Sequence, residues 1–192
     1  MSVRALLLAP GASAGRYQPA LVAMDRALTP LGVVVRRMDF PYRLAGRKAP
    51  DKAPVLVRAV VEEAATLAAQ AGCAPSEVAL GGRSMGGRMC SMAVAEGLPA
   101  AALILVSYPL HPPGRREKMR TEHFPTLSAP CLFVSGTRDS FGTPEELTAA
   151  SAAIPGPVTH EWLDGKDHGL RGCDARVAAV VVSWVTDPRR QG

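Results

Sequence analysis

One ten-residue stretch constrains the fold more than any other: Ala79-Leu80-Gly81-Gly82-Arg83-Ser84-Met85-Gly86-Gly87-Arg88. Apolar Val78-Ala79-Leu80 reads as a buried strand that stops at the glycines. From Ser84 to Glu96 the pattern is helical, with Met85, Met89, Met92 and Ala93 on one apolar face. A strand that turns at once into a helix holds the corner residue, Ser84, in a sparsely populated backbone conformation. Gly82 and Gly86 lack side chains, so the turn can be that tight. The strain lifts the Ser84 hydroxyl above the sheet, and the new helix aims backbone N–H groups at the same point.

The rest of the chain repeats this alternation. Val3 to Ala9, a run begun by Val33-Val34-Val35, Ala102 to Val106, Pro130 to Val134 and Val158 to Leu163 read as strands, making six with the one before Ser84. Between them lie helical patterns. Leu21, Met24, Ala27 and Leu28 mark the first. Val57, Val60, Val61, Ala64, Leu67, Ala68 and Ala71 mark the clearest, with Gly72 as its stop. Thr143-Pro144-Glu145-Glu146 supplies an N-cap, a proline at N1 and a glutamate at N3. Val177, Val180, Val181, Trp184 and Val185 build the last helix. Phe40 to Pro54 reads as a loop. Continuous apolar strands alternating with helices predict a mostly parallel sheet covered on both faces, an α/β fold in one domain over 1–192.

Composition excludes several classes. The chain has 192 residues, 47% hydrophobic and 20% charged, which is globular. Its net charge of +5 is mild, and with 5% aromatics it lacks a stacking platform for nucleic acid. No apolar run approaches a membrane span. Ala5-Leu6-Leu7-Leu8-Ala9 is too short for a signal-peptide core and is broken by Pro10-Gly11, so it serves better as a first strand. Cys73, Cys90, Cys131 and Cys173 form no C-x-x-C pair, which points to a reduced, cytoplasmic compartment and away from a zinc site or disulfide framework. No metal or organic cofactor is expected.

Sites in such a sheet form at the C-terminal ends of the strands. The strand ending near Ser135 is followed by Gly136-Thr137-Arg138-Asp139. The strand ending at Leu163 is followed by Asp164-Gly165-Lys166-Asp167-His168. Ser84, Asp139 and His168 thus each follow a strand, in the order serine, acid, histidine. In that arrangement His168 takes the Ser84 proton and Asp139 holds the imidazole tautomer. Among the other histidines, His160 lies inside a strand, and His111 and His123 precede the acid. Two N–H donors are needed to hold an oxyanion. The backbone of Met85 is one candidate, and Ala12, in the loop after the first strand, is the other.

With these parts placed, the chain resembles the α/β-hydrolase-like domain of the KANSL and Tex proteins, near the dienelactone hydrolase branch. The resemblance covers almost the whole chain. It rests on Leu8 to Gly15, Phe40-Pro41-Tyr42, Gly81 to Arg88, Tyr108 to Gly114, Gly136 to Asp139 and Gly165 to His168. It implies a minimal α/β-hydrolase fold and a hydrolase, although some members serve as subunits of larger assemblies. Related loops often read His-Gly-Ala-Gly where this chain has Pro10-Gly11-Ala12-Ser13. Dienelactone hydrolases usually carry a cysteine nucleophile; with Ser84 in that place, their substrate does not transfer.

Tyr108 to Ala129 is too short for a cap domain, so the site should be open. The strand-end loops are basic: Arg16, Arg43, Arg47, Lys48, Arg83, Arg88, Arg115, Arg116, Lys118, Arg120 and Arg138. Arg16, Arg43, Arg47 and Arg83 are the candidates for binding substrate. A positive rim would steer an anionic small acyl ester or thioester into the site. Local ion pairs would leave it a solvated surface. The expected activity is serine hydrolysis of such a substrate, and a binding or scaffold module with little turnover is the alternative.

Overall fold

In the computed structural model, which describes residues 3–187, six strands form one parallel sheet. They are β1 (Ala5–Ala9), β2 (Val34–Arg37), β3 (Val78–Arg83), β4 (Ala102–Val106), β5 (Cys131–Gly136) and β6 (Val158–Leu163). The helices are α1 (Pro19–Leu28), α2 (Pro41–Leu44), α3 (Ala53–Ala71), α4 (Met85–Ala95), α5 (Pro144–Ser151) and α6 (Asp174–Thr186). The spatial order is β2-β1-β3-β4-β5-β6. This is the parallel α/β sheet expected from the alternation and the minimal α/β-hydrolase fold implied by the resemblance, with no cap among the described residues. Among the described residues, the β4–β5 connection contains only one short 3₁₀ turn, Phe124–Thr126.

The two-residue period of the strands sorts their side chains into two cores. Leu6, Leu8, Ala79, Ile104, Leu132 and Val134 face α1 and α6, where Leu21, Met24, Val177, Val181 and Trp184 meet them. Leu7, Leu80, Leu103, Leu105 and Phe133 face the other way, onto Val57, Val60 and Leu67 of α3 and Met89 and Ala93 of α4. β1, β4 and β5 are buried throughout because both faces are covered.

β2 begins at Val34, one residue after the expected start, and runs through Arg36 and Arg37. It is an edge strand, and such strands carry charge at little cost. Arg36 pairs with Glu63 of α3 and Arg37 with Asp25 of α1. The stretch read as a loop from Phe40 to Pro54 contains α2, one turn begun by Pro41, and the first residues of α3. Thr143 caps α5 as its sequence predicts, accepting from the Glu146 N–H while the Glu146 carboxylate accepts from the Thr143 N–H. Among the described residues, no helix is long and apolar enough to cross a membrane.

The strand order reverses between β1 and β3. Ligand clefts form at such switch points, beyond the carboxyl ends of the strands. β1 ends at Ala9, beside Gly82 of β3. The Pro10–Arg16 loop and the Ser84 turn therefore emerge side by side.

Candidate active site

Ser84 sits between β3 and α4 with φ 51° and ψ −119°, a conformation that non-glycine residues seldom adopt. Its neighbours enforce it. The Ser84 N–H donates to the Val106 carbonyl at 2.8 Å, and the Ser84 carbonyl accepts from the Arg88 N–H at 3.1 Å. Gly82 and Gly86 are both pressed against the Ala9 carbonyl, where a Cβ at either position would collide with it. The spacing of the two glycines is thus a steric requirement of the β1–β3–α4 junction.

Ser84 Oγ lies 2.9 Å from His168 Nε2. His168 Nδ1 lies 2.8 and 3.0 Å from the two carboxylate oxygens of Asp139. Asp139 is 3% exposed, and its Oδ1 also accepts the Phe141 N–H at 2.8 Å. The Phe141 ring stacks on the imidazole with centroids 4.0 Å apart. Arg83 donates to the His168 carbonyl, tying the β3 turn to the β6 loop. Asp167 accepts the Gly169 N–H and so shapes the same loop. The other histidines are held elsewhere: His111 faces Glu146, His123 bonds Ser91 and His160 bonds Ser151.

Both candidate oxyanion donors, Met85 and Ala12, line one cavity with Ser84. Met85 opens α4, so its N–H has no acceptor within the helix. In the β1 loop, the Gly11 N–H is already engaged, donating to Gln18 Oε1 at 3.0 Å. The buried Tyr42 phenol, on α2, donates to the Ala12 carbonyl at 2.6 Å and fixes the orientation of that residue. Neither Tyr42 nor Gln18 was anticipated from sequence. The Phe40-Pro41-Tyr42 motif was the one available signal for the former.

A cavity of about 450 Å³ opens over this chain of hydrogen bonds. It is lined by Gly11, Ala12, Ser13 and Gln18 from the β1 loop and the start of α1, by Ser84, Met85 and His168, by Pro109 and Phe141, and by Arg83, Arg88 and Arg120. The basic candidates divide. Arg83 reaches the cavity. Arg16 and Arg43 line a neighbouring cleft, with Arg16 neutralised by Asp39. Arg47 is exposed, lines none of the described cavities and bonds Asp51 through both Nη atoms, at 2.6 and 3.0 Å. Of the four candidates only Arg83 lines the Ser84 cavity, where Arg88 and Arg120 join it in place of Arg16, Arg43 and Arg47. Among the described residues, no group of three or more His, Cys, Asp or Glu side chains could hold a metal ion.

A family model described as an alpha/beta hydrolase domain matches residues 2–177. The chain belongs to this family. Several solved structures share the fold of this alpha/beta hydrolase domain. One is an alpha-beta serine hydrolase homologue from Coxiella burnetii, 18% identical, with TM-score 0.78 over 95% of this chain and 85% of that one. Another is a dienelactone hydrolase from Anabaena variabilis, also 18% identical, with TM-score 0.76 over the same shares. A third is the esterase domain of a Rhodothermus marinus protein, 20% identical, with TM-score 0.71 over 96% of this chain and 87% of that one. Membership of this family supports hydrolase chemistry for the chain.

Proposed function

We propose that this domain is a serine hydrolase of small acyl esters or thioesters, with Ser84, His168 and Asp139 as its catalytic triad. The observation that carries the reading is the continuous Ser84–His168–Asp139 hydrogen-bond chain on a strained strand-to-helix turn. His168 Nε2 takes the Ser84 proton as Oγ attacks the acyl carbonyl. The carbonyl π electrons move to oxygen, where the Met85 and Ala12 N–H groups receive the oxyanion. Collapse breaks the bond to the leaving group, which departs with the proton from His168. A water, deprotonated by the same imidazole, then attacks the acyl-enzyme and releases the acid and free Ser84. Asp139 keeps the Nδ1 proton in place throughout and stabilises the imidazolium.

The open site and the lack of a cap favour short acyl groups over long lipid chains. Within the superfamily, the motif residues around Pro10, Tyr42, Ser84 and Tyr108 favour a place in the KANSL/Tex-type group. The four unpaired cysteines suit a reducing cytoplasm. A fluorophosphonate probe tests the reading. The wild type should label, and Ser84→Ala and His168→Ala should not. A folded wild type that fails to label would overturn the proposal in favour of a binding module.

A further inference from the structure

Six arginines among the described residues are half-buried: Arg16, Arg36, Arg37, Arg83, Arg88 and Arg120. Three of them meet a carboxylate, in the pairs Arg16–Asp39, Arg36–Glu63 and Arg37–Asp25. The other three have no ion pair, and all three line the Ser84 cavity. No carboxylate-bearing residue lines that cavity with them.

Arg83 is accounted for by the His168 carbonyl. Arg88 and Arg120 are not. Arg88 lies one helical turn beyond Ser84 on α4, so its side chain rises from the same face as the nucleophile. Its Nε is buried and has no hydrogen-bond partner. Arg120 comes from the β4–β5 segment, held by its own carbonyl, which accepts from the Tyr108 phenol at 2.8 Å. Burial, and after it the charge of Arg88, lower the Arg120 pKa, so the two cations sense each other. His123 is pushed down to about 4 by burial and then by Arg88, so it stays neutral near pH 7 and adds no compensating or competing charge. Two neighbouring guanidiniums at a part-buried wall, one with an unsatisfied donor, are costly unless an acceptor arrives from outside the chain.

We propose that Arg88 and Arg120 form an anion subsite of the Ser84 cavity, which binds a carboxylate or phosphate group carried by the acyl substrate. The inference rests on the hydrolase reading for its chemistry, but the subsite binds its anion whether or not Ser84 turns over. A guanidinium presents paired N–H donors that match either oxyanion, and the two side chains approach it from different elements, which fixes its position. The anionic end then sits within reach of α4 while the acyl carbonyl lies at Ser84.

Two measurements on the full chain test this. The first compares hydrolysis of the mono-4-nitrophenyl ester of glutaric acid with that of neutral 4-nitrophenyl butyrate. The wild type should favour the anionic ester at least tenfold in kcat/KM. Arg88→Lys and Arg120→Met should each lower that ratio about tenfold, while Arg58→Met, an exposed change on α3, should leave it alone. The second uses Ser84→Ala and follows binding of glutarate and of inorganic phosphate by calorimetry. Either anion should bind, and binding should weaken at least tenfold when Arg120→Met is added. Tighter glutarate identifies a carboxylate substrate, and tighter phosphate a phosphorylated one. If no ester is hydrolysed but an anion still binds through Arg120, the subsite stands and the hydrolase reading fails. An unchanged ester ratio in both arginine variants, or no binding of either anion, overturns the subsite.

Discussion

Tyr42→Phe isolates one oxygen whose effect follows from its position. The phenol is buried and donates to the Ala12 carbonyl at 2.6 Å. Ala12 itself is exposed, so water can take over its carbonyl when the phenol is lost. The stability cost is then that of one hydrogen bond, about 1 kcal/mol. In a domain of this size that lowers Tm by about 2–4 °C. The effect on rate has a different origin. Losing an oxyanion donor outright costs roughly 10²–10³ in kcat. Tyr42→Phe removes no donor but frees the loop that aims one, so a part of that loss is expected, about threefold to thirtyfold in kcat, or roughly 0.6–2 kcal/mol. The ground-state carbonyl depends little on that donor, so KM should hardly move. The assay is steady-state hydrolysis of a neutral 4-nitrophenyl ester, beside thermal unfolding of the same preparations. A variant that loses the expected stability but keeps wild-type kcat would refute the idea that Tyr42 sets the Ala12 donor.

Asp139→Asn keeps the shape of the acid but offers His168 Nδ1 the wrong partner, so kcat should fall about 10³–10⁴-fold while Tm shows that the fold is intact. A fall of less than tenfold would remove Asp139 from the mechanism. His123 should make the protein acid-sensitive. Its folded pKa is lowered to about 4, below the ordinary 6.5, so the unfolded chain binds more protons between those values. The stability that comes from holding it neutral is full above pH 6.5 and is lost as pH falls towards 4. Discounted for partial exposure, the wild type should lose about 1 kcal/mol more between pH 7 and pH 5 than His123→Gln, by urea unfolding. Equal losses would contradict the assignment.

The strands and most helices were legible because each buries a face of fixed period. Leu7, Leu80 and Phe133 point one way and Leu8, Ile104 and Val134 the other, and any sequence that fills both cores must repeat every two residues. The positions of Asp139 and His168 just beyond β5 and β6 were legible because a strand end is itself a pattern. The four-residue α2 was not, since one turn shows no periodicity, and its Tyr42 bond to Ala12 joins residues thirty positions apart. The fate of the arginines was the hardest to read. Arg16 and Asp39 are separated by twenty-three residues, and nothing local says that they pair. Arg88 did carry a signal, its four-residue offset from Ser84 on one helix. Arg120 lies in an aperiodic segment and carried none.

The most direct test of the account is where a fluorophosphonate lands. After reaction, intact mass should show one phosphonyl group per chain, and peptide mapping should place it on Ser84. A label on another residue, or one retained in Ser84→Ala, would contradict the claim that the strained turn and His168 activate this serine.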